Sequence, residues 1–322
     1  MQRFHKRNLA WLGMALLCYA LIWSLVHFGV ITSFYQRALM DIMLNIMFAV
    51  GLNLVLGVAG QFSLGHAGFI AIGAYSGAIM STRMENGTYG LILGALVGAV
   101  IATVVALIVG IPTLRLRGDY LAIATLGVAE IIRVLINNLT DLTNGPAGIS
   151  GIPMLVTWPL VYVCMVLTLM FTLNYVYSSA GRATMAIQQN EIAAQAMGIN
   201  VTKYKVIAFV IGAITAAIAG TLQASYLGIV VPGAYNFQRS IDVLIIVVFG
   251  GIGSFTGSVL AAIVLGILNV VLQDYGQLRM IIYAVALVLI MIFRPQGLLG
   301  TWEFKLGQRL FPNKSSQKEA VS

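Results

Sequence analysis

The sequence predicts an all-α, polytopic membrane protein with about ten transmembrane helices (eight to ten), and three observations predict it. Of the 322 residues, 60% are hydrophobic and only 9% are charged, where a soluble domain carries about 25% charged. The charges are also gathered: none falls between Arg7 and Arg37, Glu85 and Arg115, Lys205 and Arg239, or Asp242 and Asp274. Each gap has room for at least one helix of about 20 residues, the length that crosses roughly 30 Å of hydrocarbon. A soluble fold, a disordered chain and a disulfide scaffold are excluded.

The apolar segments lie at 9–30, 38–57, 63–82, 90–113, 119–137, 158–178, 206–227, 239–252, 256–273 and 278–293. The first follows the basic stretch Met1–Asn8. It is too long for a secretory core of about 7–15 residues and reads as a span. The segments at 239–252 and 278–293 are short for a perpendicular crossing, so one of them is a candidate broken or re-entrant element. Basic clusters occur at Arg3/Lys6/Arg7, Arg115/Arg117, Arg182/Lys203/Lys205 and Lys305/Arg309/Lys314/Lys318. Basic residues mark cytoplasmic loops. Even numbers of segments separate the clusters, which places both termini in the cytoplasm. The chain reads as one transmembrane domain, 1–322, containing a cytoplasmic loop at 181–205 and ending in a polar, basic cytoplasmic tail at 299–322. The net charge of +8 follows from this topology and calls for no nucleic acid.

Several of the 34 glycines fall four apart, at Gly73/Gly77, Gly94/Gly98 and Gly253/Gly257, the spacing that lets helix backbones approach closely in lipid. Others, Gly57, Gly60, Gly65 and Gly68, punctuate a run that also holds polar side chains. Irregular backbone at membrane depth survives only when buried in protein or lining a cavity. Asn53, Gln61, Ser63 and His66 in this run must face protein, water or a solute, because unpaired buried polar groups cost several kcal/mol. Hydrogen bonds that clamp two helices and the lining of a pathway are both open readings for them.

Glu130 and Arg133 stand inside the segment 119–137. A charge at a helix centre costs roughly 2.5–3.5 kcal/mol, and residues three apart share a helix face and can pair. Glu130 lies about 17 Å along a helix that starts at Asp119. It is a candidate for the pathway, for an interface, or for an internal ion pair.

The loop between 158–178 and 206–227 carries a short helix signal. Asn190 suits an N-cap, and Glu191 suits the positive end of a helix dipole. Ala193, Ala194 and Ala196 favour helix, and Gly198 is placed to stop it. Ile192 and Met197 would be left apolar and exposed, which calls for a partner surface or lipid headgroups.

The remaining residues narrow the chemistry. Cys18 and Cys164 sit in apolar runs, and the three histidines offer no metal-ligand spacing. No G-x-x-x-x-G-K-[ST] phosphate loop occurs, so any ATPase that drives this chain is a separate polypeptide. Ser63 and His66 lack a third group for nucleophilic catalysis. An ion-coupled transporter would need mid-membrane carboxylates, and Glu130 qualifies, while Asp41 and Asp242 fall near segment ends.

Resemblance to known sequences now becomes specific. Glu191-x-Ala193-Ala194-x-x-x-Gly198 resembles the EAA loop of ABC-transporter permeases, whose helix docks on the ATP-hydrolysing subunit. The run Gly51–Gly68 resembles a signature of the LivH/LivM family. Gly118–Arg133, Asn144–Pro153, Phe249–Gly257 and Arg294–Leu298 resemble the LivM branch, the permease subunits of branched-chain amino acid ABC importers. The resemblance implies a pathway for leucine, isoleucine and valine in a bacterial cytoplasmic (inner) membrane. It assigns ATPase coupling to Glu191, Ala193, Ala194 and Gly198. The candidate pathway residues are then Asn53, Gln61, Ser63, His66 and Glu130. The implied partners are a second, LivH-type permease, two LivG/LivF-type ATPases that use ATP and Mg, and an extracytoplasmic solute-binding protein. The chain itself is expected to be no enzyme and to hold no cofactor. Urea or short amides, carried by close relatives in the family, are the alternative solutes, and ion-coupled transport is the alternative class.

Overall fold

The structure, a computed structural model, describes residues 2–275 apart from 30, 85–86, 114–115 and 117, together with 285, 288, 297 and 300. The expected span at 278–293, the tail at 299–322, the pair Arg115/Arg117 and the run Arg294–Leu298 lie almost wholly outside the described residues.

The described chain is built of helices. They are α1 (Gln2–His27), α2 (Ser33–Asn53) with a π-helical turn at Leu54–Val58, α3 (His66–Arg83), α4 (Gly87–Thr113), α5 (Asp119–Asn138) and α6 (Thr140–Thr143). After these come α7 (Trp158–Val176), α8 (Ser179–Gln189), α9 (Glu191–Ala196), α10 (Val201–Leu227), α11 (Phe237–Gly250) and α12 (Phe255–Val271). Two short strands, β1 (Ile149–Ser150) and β2 (Ile229–Val230), pair antiparallel and tie the loop after α6 to the loop after α10. Among the described residues, four helices are long and apolar enough to cross a membrane: Ser33–Val58, Gly87–Thr113, Trp158–Val176 and Val201–Leu227. The pair α11 and α12, bent by 117°, makes up to a fifth. This is an all-α, multi-pass membrane protein.

Small residues set its centre. On α4 the buried positions Gly90, Gly94, Gly98, Ala102, Ala106 and Gly110 recur every four residues, while most others are exposed to the surroundings. A four-residue period lays them along one face. That stripe meets α3 with Gly94 against Gly77 and Gly98 beside Gly73. On its other side α3 meets α10 just as closely: a Cβ on Gly73 would run into the Ala217 carbonyl, and one on Gly220 into the Ile70 carbonyl. The first two glycine pairs picked out by spacing therefore do interlock. Apolar side chains in lipid supply little net drive for association, so such close packing has to provide it.

Depth can be followed along α2. Tyr226, at the end of α10, donates from its hydroxyl to the Arg37 carbonyl at 3.2 Å, while Gly212 packs on Gly51, so α10 runs antiparallel to α2. After α10 the chain does not stay at that level. Tyr75 faces the Val230 carbonyl and the Tyr235 ring, the Ala67 amide donates to Ser240 Oγ at 3.0 Å, and Arg239 reaches Asn45. Eight residues of α2, or about 12 Å, separate Arg37 from Asn45. The segment 228–236 thus dips inward, and α11 begins about halfway along the span Ser33–Val58.

From there α11 runs to a break at 251–254, and α12 climbs back beside α2, with Ser254 near Asn53 and Gly266 against Ile42. The short segment at 239–252 is therefore a half-length helix of a bent pair. The same geometry corrects the reading of Asp242, which lies not near the outer end of a span but in the second turn of a helix that starts inside. The segment at 63–82 also starts late, because residues 59–65 are not helical.

Candidate functional site

Three polar regions carry the chemistry. The first surrounds the break between α2 and α3. Asn53, fully buried, donates from Nδ2 to the Ser254 carbonyl at 2.9 Å and to Ser258 Oγ at 3.0 Å, and its Oδ1 accepts from the Gly253 amide at 2.8 Å. These bonds go to the break between α11 and α12 and to the first turn of α12. Gly57 closes on Gly253 so tightly that a Cβ there would strike the Gly253 amide nitrogen.

The unwound stretch is received by neighbours on both sides. The Leu64 amide donates to Thr125 Oγ1 at 3.0 Å, and the Gly65 amide turns back to Ser63 Oγ at 3.3 Å. Gln61 and His66 differ from these. Among the described residues, Gln61 is buried with both side-chain polar atoms unpartnered, and His66 is buried with Nε2 unpartnered. The His66 ring has the Phe48 backbone as its hydrogen-bonding neighbour and Arg239 as a charged neighbour. Buried polar groups without partners are uncommon in folded proteins, so these two side chains mark the polar centre of the break.

The second region is the segment between α7 and α10. Ser178 caps α8 by accepting from the Gly181 amide at 3.1 Å, and Asn190 caps α9 by accepting from the Ala193 amide at 3.0 Å. Gly198 takes φ +81°, the left-handed backbone that favours glycine. The Ile199 amide then donates to the Ala194 carbonyl and the Gly198 amide to the Gln195 carbonyl, closing the helix in a Schellman motif. Lys205 Nζ lies 2.9 Å from Glu191 Oε2, pinning the start of α9 to α10.

Ala194 faces inward and Ala193 outward, while Ile192 and Met197 are 73% and 83% exposed. The start and stop read from the sequence hold. The sequence reading missed α8, whose signal was the Ser178 cap followed by an 11-residue run free of proline. Gln188 of α8 packs against Gly60, so the segment touches the α2–α3 break directly.

The third region is on α5. Glu130 and Arg133 form an ion pair in which Arg133 Nε lies 3.0 Å from both carboxylate oxygens. Both side chains remain partly exposed. A cavity of about 410 Å³ between α1, α2, α7 and α12 is lined almost wholly by apolar groups, and none of Asn53, Gln61, Ser63, His66 or Glu130 lines it.

Sequence reasoning also missed Arg239. It donates from Nη2 to Asn45 Oδ1 at 3.2 Å and stacks over the Phe48 ring at 5.1 Å. Its only sequence signal was a charge beside an apolar run, which is equally the mark of an ordinary span end.

Taken together, the buried helix breaks, the intramembrane polar groups and the capped external helix define a multi-pass membrane protein of the transport class. Residues 34–293 match the family described as the branched-chain amino acid transport system permease component. The chain is 35% identical to the high-affinity branched-chain amino acid transport system permease protein LivM of Salmonella typhimurium, over 89% of this chain and 74% of that protein. The LivM protein of Escherichia coli K12 matches at the same identity and coverage. The corresponding LivH protein of Escherichia coli K12 is 24% identical over 79% of this chain and 90% of its own length. No solved structure matches. The chain belongs to the branched-chain amino acid transport permease family.

Proposed function

We propose that this chain is the LivM-type permease subunit of an ABC importer that carries leucine, isoleucine and valine across a bacterial cytoplasmic membrane. The supporting observation is α9. It is a helix capped at both ends and pinned by Lys205, yet it presents Ile192 and Met197 to the exterior. A rigid apolar knob of this kind suits a groove on an ATPase subunit. In this reading Glu191, Ala193, Ala194 and Gly198 shape the knob. Gln188 passes its displacement to Gly60 and hence to the break that holds Asn53, Gln61, Ser63 and His66.

ATP binding would draw two LivG/LivF-type ATPases together, and the two states would differ in how α8 and α9 sit, which is the differential contact a switch requires. A LivH-type permease would complete the pathway, and a solute-binding protein would deliver the amino acid. Ten spans with both termini cytoplasmic fit the charge pattern. ATP and Mg act on the partner subunits.

The test is uptake of labelled leucine by proteoliposomes holding this chain with its neighbouring permease, ATPases and binding protein. Uptake that needs ATP and the binding protein is expected, with urea and acetamide failing to compete. Uptake without ATP, driven by an ion gradient, would overturn the reading, and competition by urea would move the substrate to the amide class.

A further inference from the structure

The dip of 228–236 brings a set of charges into the membrane interior that the family motifs do not include. Arg239, on the first turn of α11, bonds Asn45 about halfway along α2. Asp41 and Asp242 are its electrostatic neighbours, yet among the described residues neither forms an ion pair with it. Asp41 has the Tyr226 hydroxyl as its neighbour, and Asp242 accepts from Gln238 Nε2 at 3.4 Å. A guanidinium has five N–H donors, and here one is engaged by a side-chain oxygen. His66, buried and with Nε2 unpartnered among the described residues, has this guanidinium as an electrostatic neighbour. The start of α3 adds the positive end of a helix with no side-chain cap, and the Ala67–Ser240 bond holds the starts of α3 and α11 together.

Asp41 is exposed, and Asn45, Arg239 and Asp242 are half-buried, so the cluster opens on a surface of this chain. At that depth lipid is an unsuitable neighbour, because charges inside a membrane face the bundle interior or a water-filled cavity. Helix starts at the membrane midplane are also places where anionic groups of solutes bind.

We propose that Arg239, beside Asn45 and His66, holds the carboxylate of the passing amino acid, with Asp41 and Asp242 offering the counter-charge for its ammonium. The proposal rests on the permease reading above and adds the recognition of a zwitterion within it. Arginine suits the role because its planar fork engages both carboxylate oxygens at once, whereas lysine offers a point charge.

Two measurements on the reconstituted complex test it, both with Cys18 and Cys164 replaced by serine. Arg239→Gln is expected to lower leucine uptake about tenfold or more, the loss of roughly one charge-assisted pair. Arg239→Lys is expected to retain part of it, and both variants are expected to assemble with their partners. Undiminished uptake by Arg239→Gln would overturn the proposal while leaving the permease reading intact. Absence of leucine uptake by the unmodified complex would instead strike the permease reading.

The second measurement separates a solute site from an interface between subunits. Asn45→Cys is expected to react with a small anionic methanethiosulfonate. Leucine and 4-methylpentanoate, which carry the carboxylate, are expected to slow that reaction, and isoamylamine is not. Arg239→Gln should abolish the protection. A cysteine that never reacts would show the cluster to be packing against the second permease, and protection that survives Arg239→Gln would show that Arg239 does not hold the carboxylate.

Discussion

Asn53 and Gly253, two hundred residues apart in sequence, share a 2.8 Å hydrogen bond that joins the end of one broken helix to the break of another. With the bonds to Ser254 and Ser258 it satisfies both ends of a fully buried amide. The two interruptions in the membrane-spanning helices are therefore one structural unit. Asn53→Ala leaves the Gly253 amide to find a new partner, at a cost of about 1–3 kcal/mol for a buried group left unsatisfied, while the Ser254 carbonyl keeps the Ser258 amide and hydroxyl. Thermal unfolding of the detergent-solubilised chain should show a lower midpoint than the parent, and an unchanged midpoint would separate the two breaks.

The seam between α3 and α10 makes a sharper prediction. Gly73→Ala drives a methyl group into the Ala217 carbonyl, whereas Gly127 on α5 has nothing within 4 Å of an added Cβ. Overpacking of this kind costs about 1–3 kcal/mol, while glycine to alanine in an open helical position gains up to about 1 kcal/mol. Unfolding in mixed micelles should move in opposite directions for the two variants.

On α5, Glu130 is paired with Arg133. Removing either charge leaves the other uncompensated on α5, and removing both does not. Glu130→Gln should reduce the amount of membrane-inserted protein, and the Glu130→Gln, Arg133→Gln double variant should recover it, as read by quantitative blotting of washed membranes. A single variant that inserts normally yet transports poorly would return Glu130 to the pathway.

For the external helix, Gly198→Val places a β-branched residue at φ +81°, a strained conformation costing about 1–3 kcal/mol. Ile192→Asp puts a charge on the exposed knob without touching the caps. Both should abolish ATP-driven uptake while leaving the protein in the membrane. Ile192→Asp should also lose co-purification with the ATPases, and normal uptake by both would remove α9 from coupling.

Much of this was legible from the residues. Asn190 and Gly198 announced the two ends of α9 because caps are local, set by a side chain and a φ angle within a few residues. The four-residue spacing of Gly94 and Gly98 announced a close helix contact because small residues in lipid have few other uses. Gly57, Gly60 and Gly65 marked an interruption without revealing what it meets.

Arg239 and Asp242 were misplaced for a different reason. A charge flanking an apolar run looks alike whether the run starts at the membrane surface or halfway in, and only the path of 228–236 past Tyr75 and Ala67 decides it. The choice between clamp and pathway was likewise closed to the sequence, since Asn53 finds its partners and Gln61 does not through contacts two hundred residues away.

The packing of α4, α3 and α10 divides the molecule mechanically. Where main chain rests on main chain, as at Gly73 and Ala217 or Gly94 and Gly77, there is no side chain to swing aside, so neither sliding nor rolling is open to those helices. In the proposed transport cycle these three helices would be the fixed part, and the bent α11–α12 pair, joined at Asn53 and Gly57 to the end of α2, would move only together with that end.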